Sequence, residues 1–180
     1  DFVEMVEKEK LPLDFFSFHS YWESSPFPAK LDNIRKVLGW YDSFKTTELH
    51  LNELNVVGGW QGGDSRLNGF AIAPRIFDVL REVLKESDIT MVNWAQFMES
   101  QVADDAYGLI HRDGRKKAAY NVFKIYADMP EERVAADFGD DWKSEKEIGV
   151  LASGNADKAA AVLWNNSDED RGLTVNLRNL

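Results

Sequence analysis

The chain has no cysteine, which rules out disulfides and thiolate chemistry and leaves the compartment open. It has no apolar run near the ~20 residues of a membrane span. Positive charge is scarce: 21 Lys and Arg stand against 31 Asp and Glu, a net charge of −10. That balance argues against nucleic acid and against anionic membrane surfaces as partners. No G-x-G-x-x-G or phosphate-binding loop follows any candidate strand, no G-x-S-x-G elbow is present, and no His, Asp or Glu cluster has metal-ligand spacing. No cofactor and no metal are expected. Internal repeats and low-complexity tracts are also missing.

What is present is enough for one ordinary core. Of 180 residues, 44% are hydrophobic and 12% aromatic, with six Trp and eleven Phe, so most of the length should fold. The run from 2 to 10 is helical in character and ends before Pro12. "LDFFSFHSYW" alternates as a strand, with Phe16 and Phe18 on one face and Ser17, His19 and Tyr21 on the other. "AKLDNIRKVLGWYDSF" spaces Leu31, Ile34, Leu38 and Tyr41 as a helix. "TTELHLNELN" is a second strand, and the Gly-rich loop "GGWQGGDSR" follows it. "IAPRIFDVLREVLKES" is a helix with Ile76, Leu80, Val83 and Leu84 on one stripe. "DITMVNWAQF" is a third strand, apolar enough to suggest that both its faces are covered. A polar loop then leads to a helix carrying Ala119, Val122, Phe123 and Tyr126.

Strands alternating with helices imply parallel βαβ units. The expected fold is α/β: the C-terminal half of a (β/α)₈ barrel, a fold that needs ~250 residues when complete, over residues 1–130. A doubly wound open sheet shares the local pattern. A charged connector spans 131–147. Residues 148–180 read as three short strands, "IGVLAS", "KAAAVLWNN" and "GLTVNLRNL", the start of an incomplete β-sandwich segment. The chain starts inside a helix without an initiator Met or a secretory leader and stops inside a strand, so an excerpt of a longer polypeptide is expected.

"TTELHLNELN" places ionisable groups on a strand, where burial without partners is costly. At the C-terminal ends of the strands, where barrel active sites lie, the polar residues are His19, Tyr21, Asn52, Glu53 and Asn55, joined by Trp94. A carboxylate, histidine, tyrosine and tryptophan on one rim suit a sugar, with the Trp face stacked on a pyranose. Alternation raises a difficulty: Glu53 shares its parity with Leu49 and Leu51, whereas Glu48, His50 and Asn52 take the other face. A bulge, or a polar pocket for His50, is expected to resolve it. Glu48, nearer the strand's start, reads as a structural ion pair. His111, Asp104 and Asp105 read as loop residues, and Trp60 as a possible extra sugar contact.

These stretches resemble glycoside hydrolase family 39, the β-xylosidases and α-L-iduronidases. "HLNELN" resembles the family's H-[IL]-T-E-[FY]-N at the end of the seventh barrel strand. "LDFFSFHSYW" is similar to the sixth-strand D-F-x-S-x-H-x-Y, and "VNWAQF" to the eighth-strand Y-W-T-F. "GLIHRDGRKKAAYNVFKIYADMP" is similar to the lead into the last helix. The resemblance covers residues 1 to 130 and implies a retaining, double-displacement glycosidase acting on β-xylosidic or related linkages. Glu53 would be its nucleophile, and His19, Tyr21, Asn55 and Trp94 its substrate-binding residues. The implied partner is an oligosaccharide or glycoside. The family's general acid sits in an Asn-Glu pair on a fourth strand that this chain lacks, so the missing N-terminal half of the same polypeptide is a required partner, and the fragment alone should be inactive. Asn52 stands where the family has Thr, and Glu99 is shifted from the family's acidic positions. The alternative is a non-catalytic carbohydrate-binding or structural half-barrel remnant.

Overall fold

Three parallel strands in the order β1-β2-β3 form the first sheet of the computed structural model, which describes residues 2–22, 27–56, 68–99, 107–136, 147–176 and 178. Helix α1 (Phe2–Lys8) precedes β1 (Phe15–Tyr21). Helix α2 (Phe27–Leu38) connects toward β2 (Glu48–Asn55), and α3 (Ile72–Val83) lies between β2 and β3 (Ile89–Trp94). Helix α4 (Ala118–Ala127) follows. This is the helix–strand alternation expected from the sequence. Proline is tolerated in α3 because Pro74 lies in its first turn, where backbone N–H groups have no intrahelical acceptor.

The core lies between the sheet and its helices. Leu49, Leu51, Leu54 and Val56 of the β2 segment are buried with Phe27 and Leu31 of α2, Ile72, Ile76, Val79 and Val83 of α3, and Val122 of α4. Each such side chain contributes roughly 1.5–3 kcal/mol on burial. On the outside, Arg35 of α2 reaches Glu86 at 2.7 Å and Asp88 at 2.8 Å in the turn before β3. Hydrogen bonding to Arg35 holds the Asp88 carboxyl below its usual range.

Two expectations need correction. Strand β3 is not covered on both faces: Met91 and Val92 are exposed, and among the described residues the strand pairs with β2 alone. The expected third C-terminal strand, over 172–180, is not seen among its described residues either. Residues 172–176 carry no strand and are exposed. Instead, the second sheet takes its third member from the charged connector. Its order is β4-β5-β6, built from Glu132–Arg133, Ile148–Gly154 and Ala159–Asn165, all antiparallel.

The second sheet docks on α3. Trp164 of β6 stacks on Phe77 with ring centroids 5.4 Å apart, lies under the Arg81 guanidinium, and donates its indole N–H to Asp78 at 2.7 Å. Asn166 donates to the other Asp78 oxygen. Position 149 has to be glycine, because a Cβ there would lie 1.9 Å from the Trp164 ring. Burial raises the Asp78 carboxyl above its ordinary 3.8, more than its hydrogen bonds from Trp164 and Asn166 lower it. The folded seam therefore binds a proton that the unfolded chain releases. Stability from this group should increase as pH falls from above Asp78's folded value toward 3.8, and be lost as pH rises. Thermal melts across acidic pH, read by Trp fluorescence, should show this component in the parent and a flatter profile in Asp78→Asn.

Candidate active site

The middle strand contains an extra residue. Phe18 pairs with Leu51, but the next residue, His19, pairs with Glu53, so Asn52 is skipped and bulges out, exposed. The β2–β3 ladder has the same irregularity, running from Leu51–Val92 to Leu54–Trp94. A bulge resets the twofold alternation of side chains. Before it, Leu49 and Leu51 face the helices while Glu48 and His50 face away. After it, Leu54 faces the helices, and Glu53 moves to the face of Glu48 and His50. The parity difficulty is thus resolved by an Asn52 bulge.

On that open face, three residues from two strands converge. The Tyr21 hydroxyl donates to Glu53 Oε1. His19 Nδ1 lies 3.2 Å from Glu53 Oε2, within reach of donating when that nitrogen carries the proton. Each carboxylate oxygen therefore has its own partner. The Glu53 side chain is 28% exposed and His19 51% exposed, so the group is held yet reachable. Lys30 of α2 donates to the His19 carbonyl at 2.7 Å, fixing the end of β1 on the following helix.

Asn55 has a different environment. It is fully buried, its amide donates to the Ala95 carbonyl at 2.5 Å, and its Oδ1 accepts the Val56 N–H at 2.7 Å. The Asn55 carbonyl also accepts the Trp22 amide at 3.0 Å. One residue thus clamps the carboxyl ends of all three parallel strands. Trp94 pairs in register with Leu54 and sets its ring edge-on to Phe123 of α4, 5.1 Å between centroids.

Nearer the strand's start, His50 stacks on Phe15 at 4.5 Å and contacts Glu48 at 3.0 Å, and Thr90 donates to Glu48 at 3.1 Å. Those hydrogen bonds hold the Glu48 carboxyl below its ordinary range. His50 thus engages the Phe15 ring and the Glu48 carboxylate, and Glu48 is engaged structurally. His111 lies in a tight turn, its N–H donating to the Arg115 carbonyl at 2.8 Å. Trp60, Asp104 and Asp105 fall outside the described residues.

Sequence reasoning did not single out Tyr107 or Lys117. Tyr107 is buried, with its ring 5.9 Å from that of Tyr21. Lys117 forms an ion pair with Glu99, both side chains wholly buried. Burial pulls the Lys117 ammonium down to about 8. The available signal was the dipeptide Tyr107-Gly108 in a loop otherwise polar. Among the described residues, no group of three or more His, Asp or Glu is arranged to hold a metal, and no helix is long and apolar enough to cross a membrane.

The chain shares its fold with parts of solved glycosidases. It superposes on a family 39 β-xylosidase from Caulobacter crescentus with a TM-score of 0.68 and 18% identity, over 89% of this chain and 34% of that one. A monomeric β-xylosidase from the same organism gives 0.66 and 19%, over 93% and 37%. A glucosidase from Croceicoccus marinus gives 0.65 and 23%, over 87% and 33%. The chain therefore spans about a third of the length of these structures. No protein-family model matches the sequence, and no curated protein matches it.

The Asn55 clamp makes a stability prediction. Asn55→Leu keeps the volume but leaves the Ala95 carbonyl and Val56 amide without their partner, at a cost of about 1–3 kcal/mol. Urea unfolding should show this loss, with a midpoint shift and little change in slope.

Proposed function

We propose that this chain is the nucleophile-bearing half of a retaining glycoside hydrolase barrel acting on β-xylosidic or related linkages. The observation that carries the reading is the Glu53 carboxylate at the carboxyl end of the middle parallel strand, with Tyr21 on one oxygen and His19 on the other. Barrel enzymes place their chemistry at that end of the strands. The likeness in fold to two β-xylosidases and a glucosidase supports the same reading.

Retaining hydrolysis needs two carboxyls roughly 5–5.5 Å apart. Glu53 attacks the anomeric carbon as the glycosidic C–O bond breaks, and a second acid protonates the departing oxygen, giving a covalent glycosyl ester on Glu53. Water, deprotonated by the second residue, then attacks the same carbon, releases the sugar with its configuration retained and restores Glu53. Tyr21 and His19 hold the carboxylate on line for the attack and stabilise the anion on release. Glu48 is no second acid: five residues along a strand put it on the order of 15 Å from Glu53, and His50 and Thr90 occupy it. The general acid is supplied by the remainder of the barrel.

The sheet geometry accords with a barrel completed elsewhere. In the described residues, β1 and β3 each pair with β2 alone, and Phe15 and Met91 are exposed on the strand face that carries Glu53. Open edges and apolar faces promote association. The 180-residue chain expressed alone should self-associate in sedimentation analysis, and a monodisperse monomer with a sharp melt would count against the half-barrel.

The catalytic test belongs to the longest natural polypeptide carrying this chain. Glu53→Ala should cut turnover of an aryl β-xyloside by orders of magnitude with an unchanged melting temperature. NMR of the first sugar released by the parent should show the β-anomer. Full activity in Glu53→Ala would refute the assignment; an α-anomer would refute the double displacement.

A further inference from the structure

Glu53 depends on Tyr21, and Tyr21 has a side chain that could swing away on its χ torsions. On one side it is walled by Tyr107, whose ring lies 5.9 Å away at an interplanar angle of 46°. Tyr107 is 7% exposed, well buried for a residue outside any helix or strand. Offset aromatic pairs of this kind contribute about 0.5–1.5 kcal/mol beyond their buried area, enough to bias one rotamer over the others.

The segment around Tyr107 is anchored in turn. Leu109 N–H donates to the Gln96 and Phe97 carbonyls at 3.1 and 3.0 Å, Ile110 N–H to Phe97 at 3.1 Å, and Glu99 N–H to the Ile110 carbonyl at 3.0 Å. The two strands of this loop are so close that a Cβ at Gly108 would lie 2.5 Å from the Glu99 nitrogen. Lys117 N–H donates to the Leu109 carbonyl at 3.0 Å, and the Lys117 and Glu99 side chains close the loop with their buried ion pair. A fully buried pair is weak as a source of stability, because desolvation offsets its attraction. What it does here is fix two backbone segments on either side of Tyr107-Gly108.

We propose that Tyr107 is a positioning residue for Glu53, acting through Tyr21, and that the Glu99–Lys117 pair holds it in place. The contact path runs from the ion pair through Gly108 and Leu109 to Tyr107, then to the Tyr21 ring and its hydroxyl on Glu53. This inference rests on the reading of Glu53 as nucleophile. It adds a residue that touches neither substrate nor carboxylate.

The test uses Tyr107→Leu, Tyr107→Met and Tyr107→Phe in the longest natural polypeptide, with an aryl β-xyloside as substrate. Side-chain NOEs between Tyr21 and Glu53 are recorded alongside the kinetics. Tyr107→Leu should lower kcat roughly tenfold with KM changed by less than about twofold, since a displaced catalytic group costs rate more than binding. It should also lose the NOE. Tyr107→Phe keeps the ring and should restore both readouts. Tyr107→Met serves in place of Tyr107→Leu if the latter does not fold. A folded Leu or Met variant with the parent's kcat and an intact NOE overturns the proposal, as does a Phe variant that lacks the NOE. If the parent polypeptide does not hydrolyse glycosides at all, the glycosidase reading fails, and the NOE pattern alone still decides whether Tyr107 positions Tyr21 on Glu53.

Discussion

The Asn52 bulge is the constraint on which the arrangement of the first sheet depends. A strand with one buried face must place every second residue in the core, and β2 has to satisfy this while also turning Glu53 toward the open face. Without the extra residue the two requirements conflict, because Glu53 and the buried Leu51 have the same parity. With it, Leu49, Leu51 and Leu54 all reach the core, and Glu53 lies across from His19 in the β1 register. The neighbouring strands fit this shift, each pairing with β2 across a break at the same place. Asn55, one step beyond Leu54, then closes the ends of the three strands through its amide and carbonyl.

Much of this was legible in the sequence, for physical reasons. Alternation in "FFSFHSY" separates the helix-facing phenylalanines from the polar row, and the parity conflict in "ELHLNELN" points to a bulge before the structure is seen. The facing of His19 and Tyr21 toward one carboxylate follows once register is known. Other features were hidden because they depend on tertiary context. The apolar character of β3 reads as burial on both sides, but composition does not show which sheet position a strand takes. Asn55 has the polarity of a substrate contact, and only its complete burial shows that its hydrogen bonds go to backbone. Tyr107 lies between Glu99 and Lys117 in the stretch from β3 to α4, and no helical or strand spacing links the three.

The Glu53 site and the seam between the two sheets each hold a carboxylate, in different surroundings. Glu53 is partly exposed, with Tyr21 at one oxygen and His19 at the other. Asp78 also receives two side-chain donors, from Trp164 and Asn166, but burial outweighs them and raises its proton affinity. For Asp78, then, the number of hydrogen bonds alone does not set its behaviour as an acid; loss of solvent access prevails over them.

Helix α3 has two buried sides. Ile72, Ile76 and Val79 serve the parallel sheet, while Phe77 serves Trp164 of the second sheet. The second sheet lies late in the chain and has the sequence character of an accessory, but it supplies the cover for a helix that the parallel sheet needs. Removing it would uncover Phe77 and strip the indole from Asp78, leaving a buried-type acid in water beside an aromatic ring. The cover of α3 thus makes β6 part of the helix's folding requirement and not a detachable addition: shortening the chain before Trp164 should cost stability in α3 itself.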